Sequence, residues 1–293
     1  MPVESKTSRP EKIVCITGAS SGFGLAACEV YLKNGWTVYA AVRGGMKRAD
    51  LFKHIWSHFP QRLKLVELDL TDGNTIDALA HSLAEKPLHA LINNAGYGLF
   101  GAAEDMTESG LRRQMEVNFF GTFRLTQLLL PKLRSSQGSI VTISSVVGRH
   151  GLPLTSAYVA SKFAVEGWME SLSMELQPFG VKCYLIEPGT FPTQFGTGID
   201  WVQSPQTSVY KEVSEGYDQL RIRIFARVKN RSVYSVGEKM FDLVNRRPNA
   251  LRHPIGPDSR ATMLAARILS PNLLHLIATR LTNYAQRRYA PKA

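Results

Sequence analysis

Tyr158 and Lys162 are four residues apart, behind a serine pair, Ser144 and Ser145, and an intervening loop. If the chain is helical from Ala157 onward, the phenol and the ammonium share one face, a turn apart. A phenol ordinarily titrates near ~10 and is a sluggish acid at neutral pH. A neighbouring ammonium favours the phenolate and is expected to lower that value. Such a phenol can exchange a proton with an alcohol or carbonyl oxygen, and the Ser145 hydroxyl can hold the same oxygen. Taken alone, Y-x-x-x-K is also an ordinary helix-surface pattern.

A second motif lies far upstream. Ile13 to Thr17 is a β-branched run that reads as a buried strand. It leads into Thr17-Gly18-Ala19-Ser20-Ser21-Gly22-Phe23-Gly24, after which apolar residues recur at helical spacing. Strand, glycine-rich turn and helix together form the setting of a dinucleotide site. Gly18 suits the tight turn, Gly22 suits close approach to a pyrophosphate, and Gly24 suits close helix–strand packing. The helix N-terminus, with Ser20, Ser21 and Phe23 around it, would face the phosphates.

T-G-x-x-x-G-x-G at 17–24, N-N-A-G at 93–96, Ser145, Y-x-x-x-K at 158–162 and Pro188-Gly189 follow in order. With these motifs the chain resembles the classical short-chain dehydrogenase/reductase family, most of all its steroid- and retinol-dehydrogenase-like members. The resemblance runs from about residue 12 to 195. It implies a nicotinamide dinucleotide cofactor, with catalysis by Asn118, Ser145, Tyr158 and Lys162. It further implies cofactor contacts from Asp69 and Leu70, from Asn94, Ala95 and Gly96, from Tyr158 and Lys162, and from Pro188, Gly189 and Thr193. Asp69 also reads as an ordinary turn aspartate.

The end of the second strand bears on the cofactor. NAD-selective sites place an acid there to grip the ribose 2′-hydroxyl. Here Val38 to Val42 is followed by Arg43, with Lys47 and Arg48 close behind and no acid at the strand end. A guanidinium binds a 2′-phosphate through paired hydrogen bonds, so the expected cofactor is NADP(H).

The remaining pattern is that of one α/β domain of 293 residues. Strands are expected at Ile13–Thr17, Thr37–Val42, Leu63–Leu68, Ala90–Asn93, Ser139–Ile143 and Lys182–Glu187, with a seventh near Leu251–Ile255. Long helices are expected over Leu111–Leu133 and Ala157–Leu176. This alternation predicts a Rossmann-type, doubly wound parallel sheet with helices on both faces. The resemblance implies a division into a dinucleotide-binding and catalytic core over 12–190, a substrate lid over 191–250 and a helical C-terminal extension over 251–293. Phe195, Trp201, Tyr210, Tyr217 and Phe225 in the lid, with Leu99, Phe100, Leu152 and Leu154, suit a lipophilic alcohol or carbonyl substrate. His150 is a further candidate for the substrate mouth, and a loop histidine in solvent is its plain alternative.

Three cysteines without framework spacing suggest reduced thiols and a cytoplasmic setting, and no metal-ligand spacing is present. The first twelve residues are polar and do not read as a signal peptide. The net charge of +11 is uneven: residues 1–220 carry 20 Lys/Arg and 21 Asp/Glu, whereas 221–293 carry 15 and 3. No nucleic-acid motif accompanies the basic tail, so no nucleic-acid partner is expected. Leu273, Leu274, Ile277, Leu281 and Tyr284 recur at helical spacing, with Arg280, Arg287, Arg288 and Lys292 towards the end. That stripe would either pack on the enzyme's own body or lie peripherally on an anionic membrane. The two long helices resemble the pair this family buries in a homodimer. Two other functions fit parts of the pattern. An NADP-binding sensor of this fold would ordinarily lack the Tyr or Lys, and a nucleotide-sugar epimerase would carry T-G-x-x-G-x-x-G.

Overall fold

The computed structural model describes residues 11–289, save the side chains at 197, 271, 281, 282 and 284–289. Among the described residues nine strands run in chain order: β1 (Ile13–Thr17), β2 (Thr37–Val42), β3 (Leu63–Glu67), β4 (Ala90–Asn93), β5 (Leu99–Phe100), β6 (Ser139–Ile143), β7 (Lys182–Pro188), β8 (Asp200–Trp201) and β9 (Arg252–Ile255). Seven form one sheet in the order β3-β2-β1-β4-β6-β7-β9, with every pairing parallel. The strand order reverses direction between β1 and β4, which opens a crevice at the carboxyl ends of those strands. The short β5 and β8 pair separately above it.

Buried on both faces, the strands are apolar at nearly every position, as parallel sheets covered by helices must be. Side chains alternate between two cores. Val14, Ile16, Val38, Ala40, Ile92 and Val141 meet α1 (Gly22–Lys33) on one face. Cys15, Tyr39, Ala41, Leu91 and Ile140 face the opposite core, shared with the helices described next. The three cysteines are buried and free.

The other helices are α2 (Lys53–Trp56), α3 (Gly73–Ser82), α4 (Glu108–Met115), α5 (Gly121–Ser135), α6 (Ser156–Leu176), α7 (Gln194–Thr197), α8 (Lys211–Arg227), α9 (Tyr234–Arg246), α10 (Pro257–Ile268) and α11 (Pro271–Tyr289). Leu125 and Leu129 of α5 and Val165 and Met169 of α6 fill the second core.

Two expectations are corrected. The helix expected over Leu111–Leu133 is interrupted by a π turn at Glu116–Phe120. The wide turn inserts one extra residue and swings Asn118 inward, whereas hydropathy alone cannot distinguish 3.6 residues per turn from the local excess. The segment expected as a lid, 191–250, divides in two. Residues of α7 and α8 lie over the crevice, but Val236, Met240, Leu243 and Val244 of α9 join the first core against α1. An amphipathic helix buries its apolar stripe wherever sheet is still bare.

Candidate active site

The glycine-rich turn is shaped by contacts as much as by dihedrals. Gly18 (φ +63°) and Gly22 (φ +52°) adopt backbone that L side chains rarely take. A methyl on Gly24 would strike the carbonyl of Gly18, so Gly24 sets how closely α1 approaches β1. The N-terminus of α1 stays open: the Ser21 side chain makes no capping bond, and no acid lies in the first turn. Free N–H groups and the positive end of the helix dipole then point at the crevice. Thr17 Oγ1 accepts the backbone N–H groups of Asn94 and Ala95, both at 3.0 Å, and Asn94 Nδ2 donates to Thr17 O at 2.9 Å. These bonds lock the N-N-A-G loop against the glycine turn.

One cavity of about 790 Å³ runs along the carboxyl ends of the strands. Its lining brings together Gly18, Ser20, Ser21, Gly22, Phe23, Arg43, Asp69, Leu70, Asn94, Ala95, Gly96, Ser145, Tyr158, Lys162, Pro188, Gly189 and Thr193. Gly24 and Asn118 stand behind that surface. Arg43 is exposed at the far end with Arg48 beside it. Asp69 Oδ1 accepts both the N–H and the hydroxyl of Thr71, at 2.9 and 2.8 Å. Burial opposes its ionisation, but those bonds and the Arg43 charge hold the carboxyl below its ordinary value. It is thus a turn aspartate that also faces the cavity. The turn after β2 has an anchor that the sequence did not reveal: Glu67 of β3 accepts the Gly44 N–H at 2.8 Å.

At the other end, Tyr158 and Lys162 of α6 are both buried. The Ser145 hydroxyl lines the same cavity beside them, its Oγ accepting the Val147 N–H at 3.3 Å. Lys162 Nζ donates to Ile143 O at 2.8 Å and lies 5.7 Å from the centre of the Tyr158 ring. Burial dominates both titrations. It pushes the phenol up to about 12, against the lowering effect of Ser145, and it brings the ammonium down to about 8, against the Glu166 charge. The expected lowering of the phenol is therefore not a property of the protein alone, because desolvation outweighs an ammonium at this distance.

Asn118 is buried but fully engaged. Its Nδ2 donates to Tyr97 O and Ser161 Oγ, and its Oδ1 accepts the Tyr97 N–H, each at 3.0 Å. It pins the Gly96–Tyr97 strip next to Lys162, whose Nζ lies 3.9 Å from where a side chain on Gly96 would begin.

Apolar groups close the chemistry from above. The rings of Phe100 and Phe195 lie 5.6 and 5.4 Å from that of Tyr158. Leu152, Tyr217 and Phe225 also line the cavity. Trp201 stacks behind Tyr217, and Leu99, Leu154, Tyr210 and His150 are absent from the lining. Arg221 of α8 pairs with Asp218 and donates to Gly196 O at 2.6 Å, fastening α8 to α7 over the site. Two further residues near the cavity had no signal in any motif. Arg231 and Asp258, distant in sequence, converge on the backbone of Thr190. Glu166 and Glu187, also unforeseen, are buried acids behind Lys162, and burial lifts the Glu187 carboxyl to about 7.

The cavity suits a dinucleotide. An uncapped helix N-terminus and a cationic far end suit anionic phosphates, and the Ser145 and Tyr158 hydroxyls suit an oxygen at the apolar end. Among the described residues no cluster of His, Cys, Asp or Glu could hold a metal.

Comparison with known proteins agrees with this geometry. The uncharacterized oxidoreductase YusZ of Bacillus subtilis is 34% identical over 266 residues, covering 87% of this chain and 92% of its own. A 3-ketodihydrosphingosine reductase of Bacteroides thetaiotaomicron is 36% identical over 187 residues, 63% of this chain and 65% of its own. The crystal structure of a short-chain dehydrogenase from Streptomyces avermitilis superposes with a TM-score of 0.76 at 30% identity, covering 94% of this chain and 96% of that one. Residues 12–201 match the short chain dehydrogenase family itself, and with the fold, the glycine turn and the Ser–Tyr–Lys arrangement in place, the chain belongs to that family of oxidoreductases.

Proposed function

We propose that the protein is an NADP(H)-dependent oxidoreductase that interconverts a carbonyl and an alcohol on a lipophilic substrate. The observation that carries this is the gathering of Ser145, Tyr158 and, one turn on, Lys162 in one cavity, roofed by Phe100 and Phe195. The bound nicotinamide would supply or accept the hydride. Ser145 and Tyr158 hold the substrate oxygen between them, and Tyr158 gives that oxygen its proton during reduction or takes it during oxidation. Lys162 would hold the cofactor ribose and adds positive charge beside the phenol. Asn118 keeps the Gly96–Tyr97 strip and Ser161 in place around Lys162, with a water resupplying the proton from that side. The aromatic roof and Leu152 exclude water and accept an apolar substrate.

The choice of NADP(H) rests on Arg43 and Arg48, with no carboxylate among the cavity-lining residues at the end of β2. A reducing NADPH pool would drive the reaction towards the alcohol. The test is NADPH oxidation against a panel of lipophilic ketones and aldehydes, with NADH in parallel. Turnover of none of them, or equal kcat/KM for the two cofactors, counts against the substrate class and the cofactor choice respectively.

A further inference from the structure

The Pro188–Gly189–Thr190 loop forms part of the cavity wall, and it is held from an unexpected direction. Asp258, in the first turn of α10, accepts the Thr190 N–H at 2.7 Å. Arg231, just before α9, donates to the Thr190 carbonyl at 2.6 Å and to Asp258 Oδ1 at 2.6 Å. One charged pair thus engages both backbone polar groups of a single residue. Burial opposes ionisation of Asp258, but the Thr190 N–H and the Arg231 charge outweigh it and keep the carboxylate charged. Gly189 N–H donates to Ile255 O of β9 at 2.9 Å, so two successive residues of the loop are anchored to the C-terminal segment.

The glycines on either side are explained by the same contact. A Cβ on Gly189 would collide with the Asp258 carboxylate. Gly256 has φ +97°, and a Cβ there would meet Asp258 Oδ1 at 3.0 Å and the Phe191 ring at 3.3 Å. The guanidinium of Arg231 also sits 5.9 Å over the Phe191 ring, and Phe191 meets Phe23 of the glycine-rich turn edge-on at 5.3 Å. A side chain on Gly22 would touch Thr193 at 3.2 Å. The loop therefore bridges the C-terminal segment and the phosphate-facing turn across the cavity.

We propose that Arg231 and Asp258 are positioning residues that clasp the Gly189–Thr190 backbone and so hold the dinucleotide-facing loop in its binding geometry. This rests on the dinucleotide reading of the cavity, but not on any particular substrate or on turnover. Charge-assisted bonds are stronger than neutral ones, and both are half-shielded from water here. Removing one partner leaves the other charge and a backbone group without their bonds.

The test compares Asp258→Asn, Arg231→Met and Arg231→Lys with the unaltered full chain. NADP⁺ and NADPH dissociation constants are read by calorimetry, and amide exchange at Thr190 is read without any dinucleotide. Asp258→Asn and Arg231→Met should each weaken both dinucleotides on the order of tenfold, and together little more, since they act on one clasp. Arg231→Lys, which keeps a charge and a donor, should recover part of the loss. Thr190 exchange should speed up in the two weakened variants, while amides in β1 keep their protection. In any carbonyl assay, KM for the dinucleotide should rise more than KM for the carbonyl. Unchanged dinucleotide affinity with unchanged Thr190 exchange in folded Asp258→Asn and Arg231→Met overturns the proposal. Additive losses in the double variant overturn the single-clasp form of it. Failure of every carbonyl in the substrate panel, with the clasp results as expected, would overturn only the substrate assignment.

Discussion

At the scale of single residues, the proposed chemistry rests on a phenol that the protein alone keeps protonated. Tyr158→Phe preserves the ring packing against Phe100 and Phe195 but removes the proton, so kcat should fall by about 10²-fold or more. Dinucleotide affinity, read by fluorescence titration, should stay close to that of the unaltered protein. With the phenol raised to about 12, reduction finds its proton donor loaded throughout the neutral range. Oxidation needs the deprotonated form, so kcat/KM for the alcohol should climb from pH 6 to 9, whereas kcat/KM for the carbonyl should show no such climb. Parallel pH–rate profiles check this, and an oxidative profile that falls over that range would remove Tyr158 from the role of base.

Lys162 offers a stability counterpart. Its folded value, about 8, lies below its ordinary one, so the unfolded chain binds the extra proton between those values. Its burden on folding is full below about pH 8 and fades as pH rises towards its ordinary value. Lys162→Met should therefore raise Tm at pH 7 while abolishing turnover, with the gain shrinking at pH 10. Thermal melts across that range give the sign directly. At the cofactor's far end, Arg43→Ala should weaken NADPH by about 1–3 kcal/mol and leave NADH nearly unchanged, as binding titrations of both would show.

Elements place these residues through close backbone approaches. The π turn aims Asn118 inward, and the first residue after it, Gly121, lies against the loop bearing Asp69 and Leu70. A Cβ on Gly121 would collide with the Leu70 carbonyl and lie 2.7 Å from its side chain. Neither backbone can yield without moving α5 or the Asp69–Leu70 part of the cavity wall. Gly121→Ala should thus cost about 2 kcal/mol or more in urea unfolding, in the upper range for overpacking, despite alanine's better helix propensity. An alanine that stabilises the chain would mean that α5 is free to shift.

At the scale of the whole molecule, two surfaces call for partners. Phe120, Phe123, Leu128 and Phe163 are exposed on the adjacent faces of α5, its preceding π turn and α6. A homodimer burying that face is the expected assembly. Light scattering at micromolar concentration should give twice the chain mass, and Phe123→Glu with Phe163→Glu should give the single-chain mass. The second surface is the basic C-terminal segment. Leu274 of α11 is half-buried in the α8–α11 packing, whereas Leu273, Leu276 and Ile277, and Leu264 and Ile268 of α10, remain exposed. Leu281, Tyr284, Arg287, Arg288 and Lys292, part of the expected stripe, lie outside the described side chains. From Ser259 to the end the chain has no acid. Exposed leucines flanked by arginines suit an anionic bilayer surface, so the protein should sediment with phosphatidylglycerol vesicles at low salt and release them at high salt. Among the described residues no helix is long and apolar enough to cross a membrane.

Local sequence sufficed wherever a feature depends on neighbours along the chain. The seven strands of the main sheet followed to within a residue from their apolar runs, the glycine turn from its spacing, and the Tyr158–Lys162 face from the helical repeat, whereas the two-residue β5 and β8 gave no such run. The lining of the cavity by Gly18, Arg43, Asn94, Ser145 and Thr193 was legible because each sits at the carboxyl end of a strand or in the turn after it, where a parallel sheet gathers its loops. Other features were settled by distant contacts that no local pattern encodes. The phenol's upward shift comes from burial, where the Phe100 ring of β5 and the Phe195 ring of α7 meet Tyr158. The place of α9 in the core was decided by bare sheet beside α1, and the π turn at Asn118 by the hydrogen bonds to Tyr97 and Ser161 that it makes available. The clasp of Arg231 and Asp258 on Thr190 exists only because β9 pairs with β7 and brings α10 alongside the loop. Burial and long-range pairing are properties of the packed chain, and they decide charge state and geometry after the sequence has decided which residues are at hand.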